Sequence, residues 1–198
     1  MKISVKIGAA IVIAGLVLAS PAFAHSFNVM LIVPLSGEQE EAGRQFVDGF
    51  MLATTERDAH ANQESDGHLG GLDVYVSLLD ANGSGQDMVL EHARQNDIDI
   101  AIGPWGIQDL LLSESVLAGQ GVSLLSPGSA PQVDGEGAKV VAFGENFART
   151  YGDAPGADAM QGYNAAQRIE IAVRGQSGVA DVEALAQSFA QTASGFDW

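Results

Sequence analysis

The chain contains no cysteine, so disulfides and a lipid anchor on a cysteine are both excluded. Lysine is almost as scarce, standing only at Lys2, Lys6 and Lys139. Nine Lys and Arg face 25 Asp and Glu, a formal net charge of −16 at pH 7. Such a surface repels nucleic acid and anionic membranes, which excludes both as partners. The acidity reads as a solubility device of the kind suited to a salty habitat. Catalytic signatures are missing too. There is no nucleophile elbow, no Gly-Lys-Ser/Thr phosphate loop and no His-Glu-x-x-His. The sequence therefore reads as a non-enzyme without cofactor. Nor do the histidines make a metal site. His25, given a free amine, has the groups to chelate copper, but no spacing brings His60, His68 or His92 to it. His60 and His68 fall in a polar stretch expected to be solvated. Repeats and low-complexity segments are absent.

What is present begins with a basic start at Lys2 and Lys6. An apolar run, Ile7 to Ala19, and an Ala-Phe-Ala pattern ending at Ala24 follow. This order is that of a secretory signal peptide, and the run falls short of the ~18–20 residues a membrane span requires. The expected division is residues 1–24 as signal peptide and 25–198 as one α/β lobe. The mature chain would start at His25, be periplasmic and have no membrane span. Losing two lysines makes it more acidic still.

Residues 98–131 organise the remainder. Ile98, Ile100 and Ile102 alternate into a strand that ends at Gly103-Pro104. Ile107 to Gly119 has helical spacing, with Leu111, Leu112, Val116 and Leu117 on one face. Gly119 and Gly121 stop that helix. Val122 to Leu125 is a second apolar strand, closed by Ser126-Pro127-Gly128. Two such strands around a helix make a βαβ unit and a parallel buried sheet, whose ligands meet the loops at the carboxyl ends of the strands.

Upstream, Phe27 to Leu35 is a continuous apolar run and hence a central strand. Glu38 to His60 is an amphipathic helix with Ala42, Phe46, Phe50 and Ala53 as its buried stripe. Leu72, Val74, Val76 and Leu78 alternate along a strand that ends in the turn Asp80-Ala81-Asn82-Gly83, with Asp80 as its cap. A helix from about Gln86 to Gln95 turns Val89 and Ala93 inward. Downstream, Lys139 to Phe143 reads as one more strand, followed by a short helix over Asn146 to Tyr151. Ala157 to Arg174 is a strong helix, and Asp181 to Thr192 another, capped by Asp181 with Leu185 and Phe189 on one face. The order βαβαβαβ, then a strand, then helices, predicts a doubly wound α/β domain with a parallel, flavodoxin-like sheet.

A succession of segments carries a family resemblance. VPLSGEQEEAGRQFVDGFMLA, VYVSLLDANGSGQDMVLEHARQ, AIGPWG, GVSLLSPGSAP and FARTYGDAPGADAMQGYNAAQRIEIAV occur in this order. Together they resemble the type I periplasmic solute-binding proteins of the leucine/isoleucine/valine-binding kind. No one motif is specific; their order is. The resemblance implies two lobes closing on a ligand, yet the chain passes from Ser126-Pro127-Gly128-Ser129 almost directly to the C-terminal helices. It thus implies a single lobe, completed by the helix at Gly162 to Val173. It also implies that the family's ligand-holding Tyr, Ser and Thr correspond here to Ala42, Ile107 and Ala130, leaving only the backbone of Gly128. Losing three polar contacts, at about 1.5–3 kcal/mol each for bonds to charged groups, predicts loss of ordinary amino-acid binding.

The expected site is the strand-end rim: Ser36, Trp105, Ile107, Gln108, Ser126, Gly128 and Ser129. Trp105 either stacks on a ligand or anchors a partner, or it packs on neighbouring loops. The serines and Gln108 either bind a small polar solute or satisfy turn backbones. Two functions follow. The first is a solute binder or sensor working with an ABC permease. The second is an interaction module whose open face, centred on Trp105 and Ile107, meets another exported protein or pairs as a homodimer. Residues 132–138 or 196–198 folding over that face is the alternative to a partner.

Overall fold

The computed structural model describes residues 26–58, 64–103, 114–127 and 137–194. Strand β1, Ser26–Val33, lies at the centre of a five-stranded sheet. Its alternating side chains serve two cores, which is why the run is apolar throughout. Phe27, Val29, Leu31 and Val33 join one core, Met30 and Ile32 the other, all essentially without solvent contact. Each such side chain contributes about 1.5–3 kcal/mol of burial.

Helix α1, Glu40–Thr55, follows a single 3₁₀ turn at Gly37–Gln39. It ends five residues before the expected His60, where Arg57 and Asp58 turn the chain away. Phe46, Phe50 and Ala53 are buried as expected, whereas Ala42 is only half-buried. A short strand β2, His68–Leu69, pairs antiparallel with β3, Leu72–Asp80. Gly70 and Gly71 join them with φ of +66° and +84°, the two left-handed positions of a tight hairpin turn. Two residues are too few to show periodicity, and β2 escapes a sequence reading. It also corrects the expectation that His68 is solvated. The imidazole is 15% exposed, with Nε2 2.8 Å from Asp73 Oδ1 and Nδ1 3.2 Å from Asp58 Oδ1.

Helix α2, Gln86–Gln95, buries Val89 and Ala93. Strand β4, Ile100–Ile102, helix α3, Glu114–Ala118, and strand β5, Ser123–Leu125, form a βαβ unit; the expected start of its helix at Ile107, with Leu111 and Leu112, lies outside the described residues. The sheet order is β2-β3-β1-β4-β5, and every pair except β2–β3 is parallel. Residues of α2 and α3 pack on one face through Val89, Ala93 and Leu117. On the other lie α1, α5 (Ala157–Gln176) and α6 (Val182–Gln191), through Phe46, Ile169 and Leu185. This is the doubly wound α/β arrangement.

The strand expected at Lys139 to Phe143 is not there. Those residues open helix α4, Ala138–Tyr151, which also absorbs the short helix expected beyond them. Phe143, Phe147 and Tyr151 recur every fourth residue. They pack with Leu52, Ala159 and Tyr163, with ring centroids 5.0 Å apart for Phe143 and Tyr163 and 4.9 Å for Phe147 and Tyr151. Packing on α1 and α5 overrides the strand preference of Val140 and Val141.

Candidate functional site

The sheet reverses direction at β1. From β1 the chain crosses to β3 on one side, then returns over β1 to β4 on the other. At such a switch point the loops leaving the two central strands diverge and open a crevice. Here those loops start at Pro34 and Gly103, and β5 adds a third at Ser126. The ends of β1 and β5 are two strand spacings apart, about 10 Å.

The first loop is fixed by one carboxylate. Asp80, the last residue of β3, accepts from Leu35 N at 2.9 Å and the Ser36 hydroxyl at 2.6 Å. It also accepts from Asn82 N at 2.9 Å, the capping role expected of it. Asn82 Nδ2 returns a bond to the Ser36 carbonyl. These donors, the Ser36 hydroxyl foremost and then the Leu35 and Asn82 amides, hold the Asp80 carboxyl below its ordinary range. With its hydroxyl turned to Asp80, Ser36 makes no side-chain cap to the helical turn after it. Its oxygen keeps free lone pairs on an exposed loop. Behind the loop, α1 comes so close to the exit of β1 that a Cβ at Gly43 would lie 1.8 Å from the Pro34 carbonyl oxygen.

The third loop is fixed from below. Arg168, on α5, is 2% exposed. Nη1 donates to the Ser126 carbonyl at 2.7 Å, Nη2 to the Phe189 carbonyl at 2.8 Å, and Nε to Thr192 Oγ1 at 3.2 Å. Burial lowers the guanidinium pKa, but two carbonyls and the C-terminal end of α6 supply the negative ends of dipoles that the charge requires. Ser126 itself is exposed, with its backbone anchored and its side chain outward. Between these loops, Gly103 N donates to the Leu125 carbonyl at 3.2 Å, tying β4 to β5 at the rim.

Of the seven residues expected at the rim, the structure places Ser36 and Ser126, both exposed at strand ends. Trp105, Ile107, Gln108, Gly128 and Ser129 lie outside the described residues, as do Ala130 and His25. Ala42, matched by resemblance to a ligand-binding loop residue, sits in the first turn of α1. The rim depends on two groups the sequence reading did not assign to it. Asp80 stands at the ligand edge in the sequence, where capping the Asn82-Gly83 turn is its favoured role. Arg168 was not singled out, although a charge within the apolar face Ala165, Ile169 and Ala172 is a visible signal. Among the described residues no cluster of three His, Asp or Glu has the geometry for a metal ion. No helix among them is long and apolar enough to cross a membrane.

Solved structures share this architecture. The branched-chain amino acid transporter substrate-binding protein LivJ from Streptococcus pneumoniae, in complex with isoleucine, matches with a TM-score of 0.67 at 11% identity, over 86% of this chain and 90% of that one. The leucine-binding protein LivK from Thermotoga maritima matches at 0.59 and 13% identity, over 86% and 90%. An ABC transporter solute-binding protein from R. palustris, in complex with benzoate, matches at 0.59 and 12% identity, over 84% and 85%. No family model matches the sequence, and no curated protein matches it. At such identities the likeness is one of fold. The described sheet and its helices have the fold of a type I periplasmic binding protein lobe, as the order of motifs indicated.

Proposed function

We propose that this chain is an exported, single-lobed solute-binding module that presents a small polar solute to an ABC-type transporter or sensor. The solute would sit on the strand-end rim of Ser36, Trp105, Ile107, Gln108, Ser126, Gly128 and Ser129. The observation that carries this reading is the built rim. Asp80 and Arg168 fix two loops around the sheet's switch point, in a fold whose solved examples include proteins in complex with isoleucine and with benzoate. A loop fixed before the ligand arrives costs less ordering on binding. The reading is one of binding rather than catalysis.

Replacing the family's polar ligand contacts with Ala42, Ile107 and Ala130 removes recognition of an aliphatic amino acid. Calorimetric titration with leucine, isoleucine and valine is therefore expected to give no heat of binding, and micromolar affinity for any of them would sink the assignment of those positions. A thermal-shift panel of small polar acids, benzoate included, is expected to raise the melting temperature with at least one member. A flat panel would instead favour the interaction-module reading. Export has its own check: intact mass of the protein from a periplasmic extract should correspond to a chain that starts at His25. A soluble form that retains Met1 to Ala24 would refute the signal peptide.

A further inference from the structure

Strand β3 is the outer parallel strand of the sheet, and β2 covers only its start, at Leu72 and Asp73. Along β3 the odd-numbered side of the backbone faces β1, as the bond from Ala81 N to the Val33 carbonyl shows. The even-numbered side faces outward. Val74 exchanges bonds there with Gly67 and Asp66, and Val76 N donates to Asp66 Oδ2 at 2.8 Å. From the Val76 carbonyl onward the pairing stops. Leu78 N–H, Leu78 C=O and Asp80 N–H point outward with no partner among the described residues.

Open edges are commonly protected by lysine, proline or a bulge. The stretch from Val76 to Asp80 contains neither residue, and its pairing with β1 is regular to the end. Apolar side chains flank it instead. Leu78 is 42% exposed and forms the outer wall of a groove of about 220 Å³ with Leu35 and Val47, rimmed by Glu40, Arg44 and Asp48. On the opposite face Tyr75 is 41% and Met88 53% exposed. Leu79 and Met88 there line a second groove, with Asp87 and Glu91 at its border. Arg44 is already engaged by Glu41, Asp48 and Asp153, and His92 by Ser77, so the border is acidic on both faces.

A backbone unpaired among the described residues, an apolar seat on each face and an acidic border specify one kind of occupant. We infer that the open edge of β3 binds an extended, cationic segment of a partner protein by strand addition. The residue opposite Leu78 exchanges both backbone bonds with it. Its side chain lies over the Leu35–Val47 groove, because directly opposed residues share a face. Residues two positions away lie on that same face, beside Glu40 and Asp48, where lysine or arginine fits. Residues one position away fall on the Leu79–Met88 face, where an apolar side chain fits. The strong negative charge of the chain disfavours a second copy in this role.

The test uses the full chain, isotope-labelled, with acetylated Lys-Val-Leu-Val-Lys amide as probe. Saturating peptide is expected to slow hydrogen exchange at the Leu78 and Asp80 amides at least tenfold and to lose affinity as sodium chloride is raised. Two control peptides, one N-methylated at the central leucine and one with glutamates in place of lysines, are expected to lose that protection. So is Leu78→Lys, placed where the side chain already meets solvent. No protection at millimolar peptide, or equal protection by the controls, would overturn the inference. Protection that grows with protein concentration in the absence of peptide would overturn it in favour of pairing between copies.

Discussion

Asp80 sets the geometry of the rim through three donors, and removing it should release the loop without unfolding the sheet. In Asp80→Ala the Leu35 and Asn82 amides lose their acceptor and the Ser36 hydroxyl turns to solvent. Faster hydrogen exchange confined to residues 34–37 and 81–83 is expected, with Val29 and Leu31 unchanged. The charged form of Asp80 is the bonded form, so its folded pKa lies below that of the unfolded chain. Its stabilising contribution is then complete above the unfolded carboxyl value of about 3.9 and is lost as pH falls through the lower folded value. The clamp should stay intact from pH 5 to 8 and open only in stronger acid. An NMR titration of the Asp80 carboxyl with its midpoint at or above the ordinary carboxylate value would contradict this.

Between elements, α1 and α5 meet backbone to backbone at two glycines. An added Cβ at Gly49 would lie 1.9 Å from the Ala159 carbonyl oxygen, and one at Gly162 would lie 2.0 Å from that of Phe46. Both helices are seated in the main core, α1 by Phe46 and Phe50 and α5 by Ala166 and Ile169. Gly49→Ala and Gly162→Ala should each cost about 3 kcal/mol by overpacking. The internal control is Gly144→Ala in α4, where an added Cβ meets nothing within 4 Å. It should gain about 0.5–1 kcal/mol by restricting the unfolded chain. Denaturant midpoints of the three variants decide the matter, and a neutral Gly49→Ala would show that the helices are not in tight contact.

The same elements show what was legible. Strand β1, helix α2 and the pairs Leu185–Phe189 and Val89–Ala93 follow directly from apolar spacing, because each buries its pattern on one neighbour. Leu78 follows the alternation of β3 yet is exposed, since alternation fixes a face but not whether anything covers it. At Lys139 to Phe143 the β-branched run misled, while Phe143, Phe147 and Tyr151 already carried the helical period. For the rim, Ser36 and Ser126 could be placed from strand ends alone. The Asp80 and Arg168 contacts join positions 44 and 42 residues apart and leave no local pattern.

Over the whole molecule, charge acts against the fold. The described ion pairs of Arg44 with Glu41, of Arg94 with Glu91 and of Arg174 with Glu170 are exposed at the arginine and within one helix each. Pairs of this kind contribute little, about 0–1 kcal/mol. They leave a formal charge of −16 spread over the chain, and its self-repulsion is relieved when the chain expands. Salt shortens the reach of that repulsion, from a Debye length of about 10 Å at 0.1 M to about 3 Å at 1 M. Sodium chloride should therefore raise the melting temperature, by roughly 2–4 °C for each kcal/mol of repulsion removed in a chain of this size. The rise should be concentrated below about 0.5 M, where screening changes most, and flatten beyond it. Thermal melts across this range distinguish the terms. A melting temperature that falls with salt would mean that the ion pairs around Arg44 and Glu170 outweigh the global repulsion, while an even rise to several molar would point to salt acting on apolar burial instead.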